Sequence, residues 1–316
     1  MEDQLVDVPF AAERVELGRT GLSVSRLCLG TAGWSDARSA EDDSIATALR
    51  FAEGPLNYLD TSNNYGQSEE RIGKVIAMLG GRLPDGVVLQ TKLDRDPVTN
   101  DFSAARMRRS LEESLSRLGV DRLPMLFLHD PENTTYEFAM SEGGPVEQLV
   151  AFRDEGIVDH IGISGAPVDL LTRFVDTGLF DALITHSRYT LVDHSATELI
   201  RHANESGLGV LNAAPFGGGI LSSFPVQLDM YGYQTVSPAV LDAAQAMGAL
   251  LQRHGIPLPA AALQFSMRNA DIHSTIVGAL TPDQLDGLFE LAELPIADEL
   301  WGELDALAPD PADWLY

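Results

Sequence analysis

Short apolar runs rich in Val, Ile and Leu begin near residues 26, 57, 87, 124, 158, 182, 209 and 274. Helical periodicity fills the stretches between them. In 68–79, Ile72, Val75, Ile76 and Leu79 recur at i, i+3, i+4 and i+7, which is one face of a helix. In 103–119, Met107, Leu111, Leu115 and Leu118 do the same, with Arg and Glu opposite. Thr281-Pro282-Asp283-Gln284 has the form of a capping box with Pro at the first helical position, and Ser237-Pro238 opens a helix the same way. Gly119, Gly156, Gly178, Gly207 and Gly255 each stand where a helix would close in a left-handed cap.

Eight alternating strand–helix units predict an α/β chain folded as a (β/α)8 barrel. A doubly wound sheet is the alternative. It usually carries G-x-G-x-x-G after its first strand, and Gly30-Thr31-Ala32-Gly33-Trp34 does not fit that pattern. Residues 14–24 predict a β-hairpin turning at Gly21, placed to cap the bottom of the barrel. No linker rich in Pro, Gly or Ser divides the chain, so residues 1–316 are expected to form one domain.

Charge narrows the partners. The 316 residues carry 21 Lys and Arg against 47 Asp and Glu, a net charge of −26. The acid is spread along the chain and reads as a solvated surface, which repels phosphate backbones and anionic lipid. Nucleic acid and membrane partners are therefore not expected, and a small-molecule substrate is. No stretch approaches the roughly 18 apolar residues of a membrane span. The start, Met-Glu-Asp-Gln, lacks the basic and apolar segments of a signal peptide. A soluble, cytoplasmic protein is the expectation. The single cysteine, Cys28, lies in an apolar run and reads as a buried structural thiol.

Four ionisable residues stand near the ends of three of the runs. Asp60 ends Asn57-Tyr58-Leu59-Asp60, Lys92 ends the run from Val87, and His129 ends the run from Met125; Tyr65 follows Asp60 by five residues. In a barrel, the C-terminal ends of consecutive strands share one rim. A Tyr hydroxyl titrates near 10 unless a cation stabilises its anion. Lys92 is placed to do that, Asp60 to hold Lys92, and His129 to orient a substrate oxygen. Each residue alone has a plainer reading: a turn Asp, a salt-bridged rim Lys, a structural His, a packing Tyr. Together at one rim they predict a proton-transfer site.

These residues also resemble a known family. Asp60-Thr61-Ser62-Asn63-Asn64-Tyr65-Gly66, followed by Ser68-Glu69-Glu70-Arg71-Ile72-Gly73, is similar to the first signature of the aldo-keto reductases. The segment from Arg109 to Gly119 and on to His129 resembles the second, and Leu93 and Asp94 after Thr91-Lys92 also fit. The resemblance implies a (β/α)8 barrel and hydride transfer between a nicotinamide cofactor and a carbonyl or alcohol. It implies Tyr65 as general acid/base, with Lys92, Asp60 and His129 in the supporting roles given above.

It further implies a cofactor surface. Gly30 and Thr31 follow the first strand. Ile163-Ser164-Gly165 resembles a Ser-Asn pair that binds the carboxamide, with Gly165 in place of Asn, and His186 stands where Gln is common. His186 as a plain buried strand histidine remains the alternative. Pro215, Phe216, Gly217 and Gly219 resemble the pyrophosphate loop, and Gly278, Ala279 and Gln284 the segment before the last helix. Members that prefer NADP place Lys and Arg at the positions of Gly278 and Gln284, and 274–292 holds neither residue. NAD is therefore expected to be preferred, with NADP possible. No metal is expected.

The runs His129-Asp130-Pro131-Glu132, Arg188-Tyr189-Thr190-Leu191 and Asn212 to Gly219 resemble a branch that oxidises L-fucose, L-galactose or D-threo-aldoses at C1. Pyridoxal 4-dehydrogenases share the look. The alternatives are thus a dehydrogenase or reductase of pyridoxal or another aldehyde, and a barrel kept as a cofactor-binding regulatory subunit. Trp34 is a candidate apolar wall for the substrate, against a packing role. Loops 132–144 and 222–236 are expected to shape specificity. The aromatic end, 312–316, is expected to pack on its own domain or join an interface.

Overall fold

The computed structural model describes residues 8–232 and 234–315. The eight apolar runs are eight strands: β1 (Leu27–Gly30), β2 (Tyr58–Asp60), β3 (Val88–Leu93), β4 (Leu123–His129), β5 (Val158–Gly165), β6 (Ala182–His186), β7 (Gly209–Ala213) and β8 (Ser274–Gly278). They pair in chain order, all parallel, and β8 closes back on β1. That closed barrel rules out the doubly wound alternative.

Side-chain alternation along each strand decides what faces the barrel axis. Cys28, Tyr58, Val88, Met125, Phe127 and Ile184 belong to one buried interior cluster. Leu29, Leu59, Leu89, Leu126 and Ile163, one step out of phase, join the outer layer under the helices. Because the period is two, Tyr58 brings Asp60 to the interior rim, Val88 brings Lys92, Phe127 brings His129, and Ile184 brings His186. Gly162 leaves room for the Phe127 ring: a Cβ there would lie 2.2 Å from Phe127 Cε1. Burial of Cys28 pushes its thiol well above the ordinary range, with the Asp60 charge adding to the effect. It is a packed side chain.

The hairpin closes the bottom as expected. Arg14–Glu16 pairs antiparallel with Ser23–Ser25, and Gly21 makes the turn at φ 72°. Its Leu17 and Val24 are fully buried in the interior cluster. Gly18 (φ 51°) lets the hairpin backbone touch β7; a Cβ there would come within 2.3 Å of Gly209 N.

The two amphipathic stretches form helices Ser68–Met78 and Ala104–Leu118. Ser103 Oγ caps the second by accepting from Arg106 N, and Gly119 ends it at φ 70°. Leu79, the fourth apolar position of the first stretch, lies beyond the helix and is exposed, because the chain turns away through Gly80 and Gly81, both at positive φ. Thr281 Oγ1 accepts from Gln284 N, and Gln284 Oε1 accepts in return from Leu280 N at 2.8 Å. The C-terminal segment packs on its own chain. Leu315 N donates to Asp193 Oδ2 at 2.7 Å, Ser195 Oγ donates to Leu315 O at 2.7 Å, and the Trp314 ring lies 5.3 Å from that of His194. Tyr316 lies outside the described residues. No described helix is long and apolar enough to cross a membrane.

Candidate active site

Asp60, Tyr65, Lys92 and His129 line one cavity of about 670 Å³ at the C-terminal rim of the barrel. Lys92 and Asp60 are almost wholly buried, with side-chain exposures of 2% and 5%. Lys92 Nζ donates to Asp60 Oδ1 at 2.7 Å, to Thr61 O at 2.8 Å and to Tyr65 Oη at 3.3 Å. All three ammonium protons are thereby engaged. Asp60 Oδ1 also accepts from Gln90 Nε2 at 2.7 Å, and Gln90 Oε1 accepts from the buried hydroxyl of Tyr58. The charge pair is fixed from below by a satisfied polar network, which a buried ion pair requires.

His129 is held from the other side. Its Nδ1 lies 2.8 Å from Asp94 Oδ1 and 3.1 Å from Ser62 Oγ, while Asp94 Oδ2 accepts from Asn64 N at 2.9 Å and from the Ser62 hydroxyl. Burial works against charge on His129, but the carboxylates of Asp94 and Asp130 outweigh it and raise its pKa. Asp94 is lowered: burial opposes, and the His129 charge and three hydrogen bonds prevail. With Nδ1 fixed, Nε2 is directed to the other side of the ring, where Asp130 Oδ1 lies 3.4 Å away. The Tyr65 and His129 rings meet edge to face at 5.7 Å.

The loop carrying Tyr65 is pinned by the helix Ala104–Leu118. Asn63 Nδ2 donates to Ser110 O at 3.2 Å, Arg106 Nη2 donates to Asn63 Oδ1 at 2.9 Å, and Arg117 Nη1 donates to Asn63 O at 3.0 Å. Buried Glu69 ties the same region together, accepting from Thr91 Oγ1 at 2.7 Å and from Arg117 Nη1 at 3.2 Å. The two sequence signatures are thus the two halves of one clamp. Asp94 has a legible signal as well, since Gln90, Lys92 and Asp94 are spaced by two on one strand and its extension.

Ser164, His186, Pro215, Phe216, Gly30 and Gly278 line the same cavity. Six other candidates are placed off its wall. Trp34 is fully buried and its Nε1 donates to Ala279 O at 2.8 Å; neither it nor buried Ala279 lines the cavity. Thr31 Oγ1 donates to Asp60 O at 2.9 Å, tying β1 to β2. Gln284 is exposed, with its Oε1 engaged in the cap. The amides of Gly217 and Gly219 donate to Ala214 O and Phe216 O within the turn. A Cβ at Gly217 would strike the Tyr231 ring at 2.4 Å, so these glycines seat the loop 222–236. Gly232 of that loop and Glu132 of the other expected loop both reach the cavity.

The residues present suit a nicotinamide cofactor. The wall from β7 to β1 combines the small residues Ala213, Ala214, Gly278 and Gly30 with apolar Ile276 and Val277, which leaves room for a ring beside the quartet. The Ser164 hydroxyl lines the same cavity and can both donate to and accept from a carboxamide.

The family model for the Aldo/keto reductase family matches residues 26–309. The chain belongs to that family. A D-threo-aldose 1-dehydrogenase from a Pseudomonas species is 33% identical over 311 residues, covering 90% of this chain and 94% of its own. L-galactose dehydrogenase of Arabidopsis thaliana is 32% identical over 302 residues, covering 92% of each. Pyridoxal 4-dehydrogenase of Microbacterium luteolum is 26% identical over 336 residues, covering 93% and 97%. A Pseudomonas aeruginosa crystal structure assigned to the aldo-keto reductases superposes with a TM-score of 0.67 at 24% identity, covering 91% and 97%, and speaks for the fold. This aldo-keto reductase is therefore an oxidoreductase of the nicotinamide-dependent type.

Proposed function

We propose that this aldo-keto reductase is an NAD-dependent aldose 1-dehydrogenase, acting on a sugar of the L-galactose, L-fucose or D-threo-aldose class and releasing a lactone. The observation that carries the reading is the joint placement of Tyr65, Lys92, Asp60 and His129 on one cavity, in a chain whose relatives at 33% and 32% identity are aldose dehydrogenases. Tyr65 takes the proton of the C1 hydroxyl. Lys92, with its ammonium 3.3 Å from the phenol oxygen, favours the tyrosinate that does so. Asp60 keeps that ammonium compensated. His129 Nε2 donates to the reacting oxygen and orients it. A nicotinamide cofactor, when bound, supplies the hydride acceptor.

NAD is favoured because 274–292 offers no Lys or Arg to a 2′-phosphate, and Asp283 would oppose it. Asp286 is instead paired with Arg50 at 2.8 Å. The test is formation of the reduced cofactor, NADH from NAD or NADPH from NADP, with L-galactose, L-fucose, D-arabinose and pyridoxal as substrates. An aldose oxidised with NAD at least tenfold more efficiently than with NADP is the expected result. Turnover confined to pyridoxal, the substrate named for the relative at 26% identity, would replace the sugar reading. Equal efficiency with both cofactors would remove the NAD assignment.

A further inference from the structure

Beside the quartet, the cavity wall carries a second polar cluster that the proton transfer does not use. Asp130 follows His129 in a left-handed backbone conformation, φ 46°. Its Oδ1 lies 3.4 Å from His129 Nε2 and 3.8 Å from His186 Nε2. Glu132 sits on the short turn Pro131–Asn133 and is anchored through Oε1, which accepts from Ala166 N at 3.2 Å. Its Oε2 is buried with no hydrogen-bond donor among the described residues. Polar atoms of Asp130, Glu132 and His186 come within 4.8 Å of one another, and all three residues line the cavity.

A glycine makes room for this arrangement. A Cβ at Gly165 would lie 2.8 Å from Glu132 Oε2 and 3.2 Å from Pro131 Cδ. The carboxylate fills the space that a side chain at 165 would need. An ionised carboxylate only accepts hydrogen bonds, and a buried acceptor left empty is unfavourable. An occupant with hydroxyl protons satisfies the wall, and a simple alkyl or aryl aldehyde does not. The position is also specific. His129 Nε2 orients the reacting oxygen, and Asp130 Oδ1 is next to that nitrogen. A hydroxyl on the neighbouring carbon is the group that reaches it.

We infer that Asp130 and Glu132 bind the hydroxyl on the carbon adjacent to the reacting one, the C2 hydroxyl of an aldose. The cavity then selects sugars that carry that hydroxyl over their 2-deoxy counterparts. This rests on the aldose reading above and adds to it a specificity-determining pair. Burial, followed by the Asp130 charge, raises the pKa of Glu132, whereas Asp130 is held at about 2, with the His129 charge overcoming its burial. Asp130 is thus the permanent acceptor of the pair. A site built to hydrogen-bond a hydroxyl rejects the analogue lacking it strongly.

The experiment compares kcat/KM for L-galactose and 2-deoxy-L-galactose in the wild-type enzyme, D130N, E132Q and G165A. The wild-type preference for L-galactose is expected to be at least about a hundredfold. D130N and E132Q should each cut it about tenfold or more, chiefly through KM for L-galactose. G165A keeps both acids in the chain but displaces Glu132, so it should shift the preference the same way. Thermal unfolding identifies any variant that has lost its fold, and the wild-type ratio stands regardless of the variants. A wild-type preference below tenfold, or folded variants that keep it, overturns the inference. So does a preference abolished by EDTA and restored by Mg²⁺ or Zn²⁺, which would make the cluster a cation site. If the wild type reduces 4-nitrobenzaldehyde with NADH yet oxidises no aldose, the functional reading fails and the inference with it. If it oxidises both galactoses equally, only the inference fails.

Discussion

Replacing Asp60 by Asn tests the charge network beneath the reacting phenol. In the wild-type protein the Lys92 ammonium is enclosed, with Asp60 as its only anionic hydrogen-bond partner among the described residues, at 2.7 Å, and with neutral partners at Thr61 O and Tyr65 Oη. Both side chains are at most 5% exposed, so solvent screening offers little relief. Removing one partner of such a pair leaves a buried uncompensated charge and costs about 3–5 kcal/mol. Unfolding entropy scales with length, so for a chain of 316 residues each kcal/mol moves Tm by roughly 1.5 °C. D60N should therefore lower Tm by about 5–8 °C in a thermal melt near pH 7. The same change weakens the cation that supports tyrosinate, so kcat should fall by about 10²–10³. Activity and stability should drop together. A D60N enzyme with Tm within about 1 °C of wild type and kcat within threefold would refute the argument that this ion pair carries both functions.

Two further outcomes follow from the geometry. His129 has a raised folded-state pKa, so its imidazolium contributes stability that is fully present below the unfolded value of 6.5 and lost as pH rises through the folded value. Asp94 has a lowered one, so its contribution is present above 3.8 and lost as pH falls through the folded value. D94N should thus lose most Tm relative to wild type at about pH 5–6.5, with the gap shrinking at alkaline pH; a gap constant from pH 5 to 9 would exclude the pairing as its cause. Gly162→Ala should destabilise the protein by about 1–3 kcal/mol or more, since its Cβ would meet the Phe127 ring at 2.2 Å and Ala182 O at 2.9 Å. Chemical denaturation showing no loss would mean the barrel interior yields more readily than close packing allows.

Much of this is legible in the amino-acid sequence alone. Positions at the C-terminal ends of consecutive strands put Asp60, Lys92 and His129 on one rim, and the structure adds that Tyr58, Val88 and Phe127 below them are interior core residues. Capping at Ser237 and Thr281 is readable because those side chains sit next to the amides they satisfy. Residues whose role depends on distant partners were harder. Trp34 reads as a rim aromatic, yet its indole N–H is drawn to Ala279 O, 245 residues away in the chain. Gly217 and Gly219 read as a phosphate turn, whereas their open faces receive Tyr231 and Leu228 from the loop that follows. Asn63 looked like a link in a motif; its partners Arg106, Ser110 and Arg117 lie a whole strand–helix unit away. Glu132 over Gly165 is a contact between two loops, and no local pattern reports it.

The central claim is that Tyr65 moves the proton while its neighbours set it up. It is tested most directly by Tyr65→Phe, which removes the hydroxyl alone and leaves the ring in place. NADH formation from L-galactose should fall by about 10²–10⁴ in kcat, while NADH binding, followed by fluorescence quenching, stays within about threefold of wild type. Turnover within tenfold of wild type in a correctly folded Y65F enzyme would contradict the account.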